Sequence, residues 1–248
     1  MLLIFDTSTT GGTVAVADPD NLAIVGQRQY ARMEGGSSLL LAGLKEILEA
    51  DDLDKSVLSG IVVNKGPGSY TGLRVGFALA QGLAESLGIP VVTIPSYCAF
   101  AVQFQENDTS LAVCYDARSR GIGWVTYLQG HKDPLRAGES LSDGSSHQAG
   151  TETFEMGSDG VLLRLAPPLA IPGLIPRPCR LVGPGIAALG KQLEETIPDD
   201  LELVTDSECP DVEYLLQLGA RNLQLGGEDH TRMAPFYLGT LATPKRRL

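Results

Sequence analysis

The stretch that decides the fold is Gly66-Pro67-Gly68-Ser69-Tyr70-Thr71-Gly72-Leu73-Arg74. It lies between an apolar strand predicted over residues 60–64 and a helix predicted over about 71–87. Two glycines around a proline predict a tight turn, and Ser69 or Thr71 can cap the helix. The N–H groups at such a helix start can hold an anion. A plain strand-to-helix turn fits the same residues, and the lysine of a Walker A loop is absent.

The first thirty residues predict three short strands joined as an antiparallel meander. The turn after the first strand begins with Asp6, Thr7 and Ser8. In actin-like ATPases, a carboxylate and hydroxyls placed in this way face the phosphates and metal of a nucleotide, and this resemblance makes the three residues a candidate nucleotide site. Because aspartate also caps turns of this kind, capping by Asp6 explains the same pattern.

Two amphipathic helices are predicted, one before and one after the strand at residues 60–64 in the sequence. The first covers Ser37–Ala50, with Leu40 and Leu44 on its apolar face and a serine N-cap at residue 37 or 38. The second is apolar or small over more than one face. Its small residues recur at four-residue intervals: Gly72, Gly76, Ala80 and Ala84. This row can let a partner helix come close, or it can be buried beneath another element of the same chain.

Alternating strands and helices predict an α/β chain with two lobes, each a mixed sheet flanked by helices. We expect the lobes at residues 1–105 and 106–230, with a tail over 231–248 and a final helix that can pack on the first lobe. Residues 138–160 are rich in glycine, serine and acidic residues and predict an irregular excursion. Residues 166–178 contain five prolines, which argues against a regular helix or a central strand there.

The bulk composition describes a globular, acidic chain. Nineteen basic and thirty acidic residues give a net charge of −11. Binding to a phosphate backbone needs clustered lysine and arginine, so we expect the isolated chain to bind RNA weakly. No apolar run approaches the roughly 18 residues that cross a bilayer. The N-terminus has no signal-peptide pattern, and we therefore expect a cytoplasmic protein without membrane contact.

The four cysteines and three histidines form no recognisable metal or redox motif. There is no C-x-x-C pair, no two histidines stand at i and i+4, and Gly-x-Ser-x-Gly is absent. We therefore predict no metal and no cofactor, and we expect the cysteines to be reduced and mostly buried thiols. A Ser-His-Asp triad stays an alternative on the residues alone.

Several of these motifs together resemble the TsaB (YeaZ) family. The resemblance is strong over residues 1–128 and weak over 129–230. It is carried by residues 3–9, 66–74, 76, 82–84, 89–90, 116–118 and 235–238. It implies a two-lobed actin/Hsp70-like (ASKHA) fold and a non-catalytic paralogue of TsaD, within the glycoprotease M22-like superfamily.

The resemblance also implies a role in tRNA modification. TsaD transfers threonylcarbamoyl from an adenylate to N6 of adenosine 37 in tRNAs that read ANN codons, and an ATPase, TsaE, joins the assembly. TsaD binds its metal through a histidine pair on a helix, which this chain lacks. We therefore expect TsaD and TsaE as partners, a homodimer when TsaD is absent, and tRNA bound only through the complex.

The chain departs from the family pattern at three places. Gly36 occupies the position where members commonly have a histidine, and Gly239 stands where an arginine follows Tyr-Leu. Residues 119–123 after the Asp-Ala-Arg motif are also looser than in the family. Any partner contacts made by those groups must be replaced in this chain.

The surface expected to pair with TsaD comprises the two amphipathic helices and the turn before the second. The predicted contact residues are Leu40, Leu44, Gly66, Gly68, Ser69, Tyr70, Thr71, Gly72, Arg74, Gly76 and Ala80. Arg74 is unusual because the helix macrodipole disfavours a cation near a helix start. A carboxylate partner, in this chain or in another, or simple solvation accounts for it.

Two other functions compete with the scaffold hypothesis. A glycoprotease-like metalloprotease would need metal ligands that the sequence does not show. A free-standing ATPase or kinase of the actin-like fold would need a second phosphate loop, for which residues 181–185 are a degenerate candidate. Metal content and ATP turnover of the pure chain separate the three functions.

Overall fold

The computed structural model describes residues 1–104, 106, 108–117, 121–127, 152–156, 161–193, 197–226 and 233–236. The chain divides into two compact units. The first holds Met1–Ala99 and the described residues from Pro210 onward, and the second holds the described residues of Phe100–Cys209. The boundary therefore lies at residue 99, where the sequence predicted 105, and the final helix belongs to the first unit.

Each unit is built on a mixed β-sheet. The strands are β1 (Leu2–Asp6), β2 (Gly12–Asp18), β3 (Ala23–Tyr30), β4 (Gly60–Gly66), β5 (Val91–Pro95), β6 (Ser110–Asp116), β7 (Ile122–Tyr127), β8 (Glu152–Met156), β9 (Val161–Ala166), β10 (Cys179–Val182) and β11 (Leu201–Leu203). The described sheets run in the orders β3-β2-β1-β4-β5 and β11-β10-β6-β7-β9-β8. β1, β2 and β3 pair antiparallel, which confirms the predicted meander, whereas β1, β4 and β5 pair parallel.

Helices flank both sheets. They are α1 (Ser37–Ala50), α2 (Tyr70–Leu87), α3 (Ser96–Phe104), α4 (Ile171–Leu174), α5 (Ile186–Leu193) and α6 (Val212–Gln224). The α/β class with two mixed sheets, predicted from the sequence, is therefore confirmed. No helix in the described ranges is long and apolar enough to cross a membrane.

The two faces of the first sheet are covered by different helices. Leu3, Phe5 and Val63 pack into one core with the apolar residues of α1 and α2. Val62, the neighbour of Val63, points to the other face and meets α6 at Gly219. This division follows from the alternation of side chains along a strand. It puts α1 and α2 together on one side of the sheet and α6 on the opposite side.

The two helix starts differ in how they are capped. Ser69 caps α2 as predicted, since its Oγ accepts a hydrogen bond from the Gly72 N–H at 3.2 Å. The serine cap predicted for α1 is wrong, because its N-cap is Gly36 and no side chain caps it. Gly36 has a φ of 60° and a ψ of −132°. Only glycine adopts such a backbone readily, which gives a local reason for this departure from the family pattern.

Two expectations for the second unit need correction. Within the predicted excursion, β8 forms a strand that pairs antiparallel with β9. The other residues of 138–160 lie outside the described residues. The proline-rich segment contains a 3₁₀ turn, Pro168–Ala170, followed by the short helix α4. Proline is tolerated in the first turn of a helix, where its missing N–H would have no intrahelical partner.

The cysteines behave as the sequence predicted. Cys98, Cys114 and Cys179 are buried, Cys209 is half-buried, and none of the four is in a disulfide. Burial raises the pKa of the Cys179 thiol to about 12. Such a thiol stays protonated at neutral pH and is a poor nucleophile.

Candidate functional site

Asp6 ends β1 as a buried carboxylate with both oxygens engaged. Its Oδ1 accepts a hydrogen bond from the Ser8 N–H at 2.8 Å, and its Oδ2 accepts one from Asn64 Nδ2 at 2.9 Å. Burial raises the pKa of this carboxyl, and the hydrogen bonds from Ser8 and Asn64 oppose the shift. The carboxylate therefore ties the end of β1 to the end of β4.

Asn64 is a site residue that the sequence analysis missed. Its side chain is fully buried and also lies 3.3 Å from Ser8 Oγ, while its Oδ1 accepts from the Gly66 N–H at 2.9 Å. The parallel register that places Phe5 opposite Val63 brings Asn64 to the level of Asp6. A polar residue ending an apolar strand was the available signal.

The turn after β1 lies directly beneath the start of α2. The Ser69 N–H donates to the Ser8 carbonyl at 2.6 Å. A Cβ atom built on Gly72 would overlap the Thr7 carbonyl oxygen, and one built on Gly76 would overlap Thr7 Oγ1. These glycines therefore let α2 approach the backbone of the turn closely.

The four-residue row of α2 consequently faces the inside of the first unit. Gly72, Gly76, Ala80 and Ala84 are all buried, as are Leu40 and Leu44 of α1. This corrects the expectation that a partner helix approaches along the row, and the alternative of burial within the same chain is right. Gly66 is buried as well, while Gly68 and Ser69 are half-buried.

The candidate nucleotide residues are enclosed. Asp6, Thr7 and Ser8 are each less than a tenth exposed. Thr7 Oγ1 lies against Gly76 and has no hydrogen-bond partner. Nucleotide binding by these residues stays a prediction.

The candidate second phosphate loop is residues 181–185, and two of its backbone N–H groups donate to other parts of the same chain. The Gly183 N–H donates to Ser207 Oγ at 2.8 Å, and the Gly185 N–H donates to the Cys114 carbonyl at 2.9 Å. Within the described residues, no group of three or more His, Cys, Asp or Glu side chains could hold a metal ion. His131, His147 and His230 lie outside those residues.

The outward sides of α1 and α2 form an open groove of about 580 Å³. Its lining is Ser37, Leu41, Tyr70, Thr71, Arg74, Val75, Ala78, Leu79, Gly82 and Leu83. Leu41 is 42% exposed and Tyr70 is 51% exposed, so the groove presents two large, mainly apolar side chains to solvent. We define this groove, with the exposed side of α2, as the outer surface.

Arg74 is the charged residue of the groove lining. It is the fifth residue of α2, just past the first turn, and its guanidinium lies 4.3 Å from the centroid of the Tyr70 ring. A cation over an aromatic ring is stabilised by about 0.5–1 kcal/mol at an exposed site. Of the predicted contact residues, Tyr70, Thr71 and Arg74 lie on the outer surface.

Replacing Asp6 with asparagine should destabilise the first unit. An amide has one acceptor oxygen, so one of the two donors from Ser8 and Asn64 would face an NH₂ group. We expect Asp6→Asn to lower the free energy of unfolding by about 1–3 kcal/mol, measured by urea denaturation at neutral pH. The conservative change Ser8→Ala, which keeps the Ser8 N–H, should cost less. Equal stability of Asp6→Asn and the wild type would show that the network is dispensable.

The raised pKa of Asp6 also predicts how the free energy of unfolding changes with pH. Because the folded chain holds this proton more tightly than the unfolded chain, raising the pH through the folded pKa removes stability. The wild type should therefore lose more unfolding free energy than Asp6→Asn between pH 4 and the folded pKa. A larger loss in the variant would contradict this.

Comparison with known proteins places these features in a family. Residues 37–242 match the family model described as TsaD: tRNA N6-adenosine threonylcarbamoyltransferase. The chain is 32% identical over 117 residues to the tRNA threonylcarbamoyladenosine biosynthesis protein TsaB of Bacillus subtilis, covering 47% of this chain and 50% of that protein. It is 33% identical over 129 residues to an uncharacterized protein of Mycobacterium tuberculosis, covering 52% of this chain and 60% of that one. The matches thus span about half of these relatives.

A solved structure extends the likeness over nearly the whole fold. YeaZ from Pseudomonas aeruginosa superposes with a TM-score of 0.64 at 21% identity, covering 96% of this chain and 99% of that one. At this identity the match speaks for the fold alone, which is the two-lobed actin-like class. The family model covers most of the chain and shows that the chain belongs to the tRNA N6-adenosine threonylcarbamoyltransferase (TsaD) family, with TsaB proteins among the relatives it is similar to.

Proposed function

We propose that this chain is a non-catalytic subunit that binds TsaD through its outer surface. In that complex it supports transfer of threonylcarbamoyl to N6 of adenosine 37 in tRNAs that read ANN codons. The observation that carries the proposal is the exposed apolar groove between α1 and α2. A protein partner that covered the groove would bury the exposed parts of Leu41 and Tyr70, which favours association.

The family relationship supports TsaD as that partner. The matched residues 37–242 contain both helices that line the groove. We therefore expect a TsaD subunit to carry helices at equivalent positions. Two related chains can therefore pair through equivalent surfaces, as the two copies of an isologous dimer do.

The sequence favours the role of an accessory subunit over that of a catalytic one. Its three histidines include no pair at helical spacing, so the metal-binding pattern expected of TsaD is missing. With a net charge of −11 the chain is suited to hold tRNA only as part of a complex. TsaE would join this assembly as its ATPase.

The test is reconstitution with TsaD from the same cell. Tagged chain should retain TsaD on a column, and the two together should form threonylcarbamoyladenosine on tRNA when TsaE, ATP and the threonylcarbamoyl adenylate are supplied. Each protein alone should show little transfer. Transfer by TsaD at an unchanged rate without this chain would contradict the proposal. Bound zinc or iron, or robust ATP hydrolysis by the pure chain, would instead favour the protease or the kinase.

A further inference from the structure

Two hydrogen-bond donors in the second unit are buried without an acceptor. They are the indole Nε1 of Trp124 in β7 and the guanidinium Nε of Arg164 in β9. Trp124 is fully buried, whereas Arg164 as a whole is half-buried. Native structures leave few buried donors without a partner, because each one loses its hydrogen bonds to water and gains none in return. Two such donors in one unit therefore point to an acceptor that the chain itself does not supply.

The sheet register brings these two donors together. Trp124 and Arg164 are directly opposite each other in the antiparallel pair of β7 and β9. Side chains that are directly opposite leave the sheet on the same face, with their Cβ atoms about 4.5–5.5 Å apart. On this face Trp124 packs into an apolar core that also contains Cys114 and Ile171. The two donors are therefore neighbours on one face of the sheet and can share one ligand.

The charge of Arg164 determines the chemistry of that ligand. Burial lowers the pKa of its guanidinium, and no carboxylate in the described part of the chain counters this shift. A cation that is partly removed from water is stabilised by an anion placed beside it. The indole and guanidinium N–H groups can donate but cannot accept. An oxyanion suits both residues, because its oxygens accept hydrogen bonds and its charge offsets that of Arg164.

We infer that Trp124 and Arg164 form a binding site for a small oxyanion, either a carboxylate or a phosphate group. Arg164 supplies the positive charge and a planar fork of donors, and Trp124 supplies one further donor from the core. Because Arg164 is only half-buried, the ligand can reach the site from solvent. The full burial of Trp124 restricts the site to a small ligand. The site lies in the second unit and does not depend on the outer surface or on TsaD.

Trp124 is a specific probe of this site, because it is the only tryptophan of the chain. In nitrogen-15-labelled protein its indole N–H gives a single NMR cross-peak. Titration with inorganic phosphate or with acetate, at constant ionic strength, should move this peak downfield to a plateau as the N–H gains an acceptor. Comparing the two titrations tells whether the site prefers a phosphate or a carboxylate group. Sodium chloride at the same ionic strength should leave the peak in place.

Arg164→Gln should weaken binding of the preferred anion by about tenfold or more, because the cation is lost. Arg32→Gln is the matched control, since Arg32 is an exposed arginine of the first unit that pairs with Glu34, and this variant should bind as the wild type does. The inference is wrong if neither anion moves the Trp124 peak of the wild type, a result that needs no variant to fold. It is also wrong if folded Arg164→Gln binds the anion as tightly as the wild type.

Discussion

Gly72→Ala should lower the free energy of unfolding by about 3 kcal/mol, near the upper end of what overpacking a core costs. The added Cβ would overlap the carbonyl oxygen of Thr7, which is backbone and cannot swing aside as a flexible side chain can. The Ser69 N–H holds the same turn by its 2.6 Å bond to the Ser8 carbonyl, so a shift of α2 would also weaken that contact. Urea denaturation followed by circular dichroism measures the loss.

Gly82→Ala on the same helix is the matched control, and its effect should have the opposite sign. No atom lies within 4 Å of a Cβ built there. Alanine is favoured over glycine inside a helix by roughly 0.5–1 kcal/mol, so this variant should be more stable than the wild type. If both glycine variants change stability alike, helix propensity alone governs α2, and the close approach of the turn to Gly72 is unimportant.

The strands and helices of the first unit were largely predictable because local patterns and tertiary packing agree there. The alternation around the meander, the apolar strand before Gly66 and the Ser69 cap all give the same local structure that the sheet requires. The serine cap of α1 was not predictable. A serine at the start of an amphipathic run normally caps it, but here the positive φ of Gly36 sets the helix start.

β8 was not predicted from the sequence, for a different reason. Its sequence, Glu-Thr-Phe-Glu-Met, sits among residues rich in glycine, serine and acids, and local composition there favours a loop. The strand is formed by its pairing with β9, a tertiary contact that no local pattern records.

Several of the predicted contact residues lie on the inward sides of α1 and α2 and are buried. Periodicity finds the most apolar face of a helix, and in a single folded unit that face packs on its own sheet. Leu40 and Ala80 were therefore predicted as partner contacts and are core residues instead. The outward side of α2 mixes moderately apolar and polar residues such as Val75, Ala78 and Arg74. Because it is not the most apolar side of the helix, hydrophobic periodicity does not identify it.

Ala78→Arg should abolish most of the pairing with TsaD while leaving the chain folded. Ala78 is exposed and lies in the lining of the groove, so arginine can be accommodated in the free chain. In a complex, the same side chain would occupy the space of the partner and place a second cation beside Arg74. Since 1.4 kcal/mol corresponds to a tenfold change, a cost of several kcal/mol for the clash and the unpaired charge predicts a loss of about a hundredfold in affinity. Isothermal titration calorimetry with purified TsaD measures it.

Gln217→Arg separates this effect from the general consequences of adding an arginine. Gln217 is exposed on α6, whose packing against Gly219 and Val62 places it on the sheet face opposite α1 and α2. The control should bind TsaD as the wild type does, and both variants should unfold near the wild-type urea concentration. If Ala78→Arg binds TsaD normally, the outer surface is not the interface. If Gln217→Arg loses binding instead, the partner covers the α6 face, and the exposed groove has another occupant.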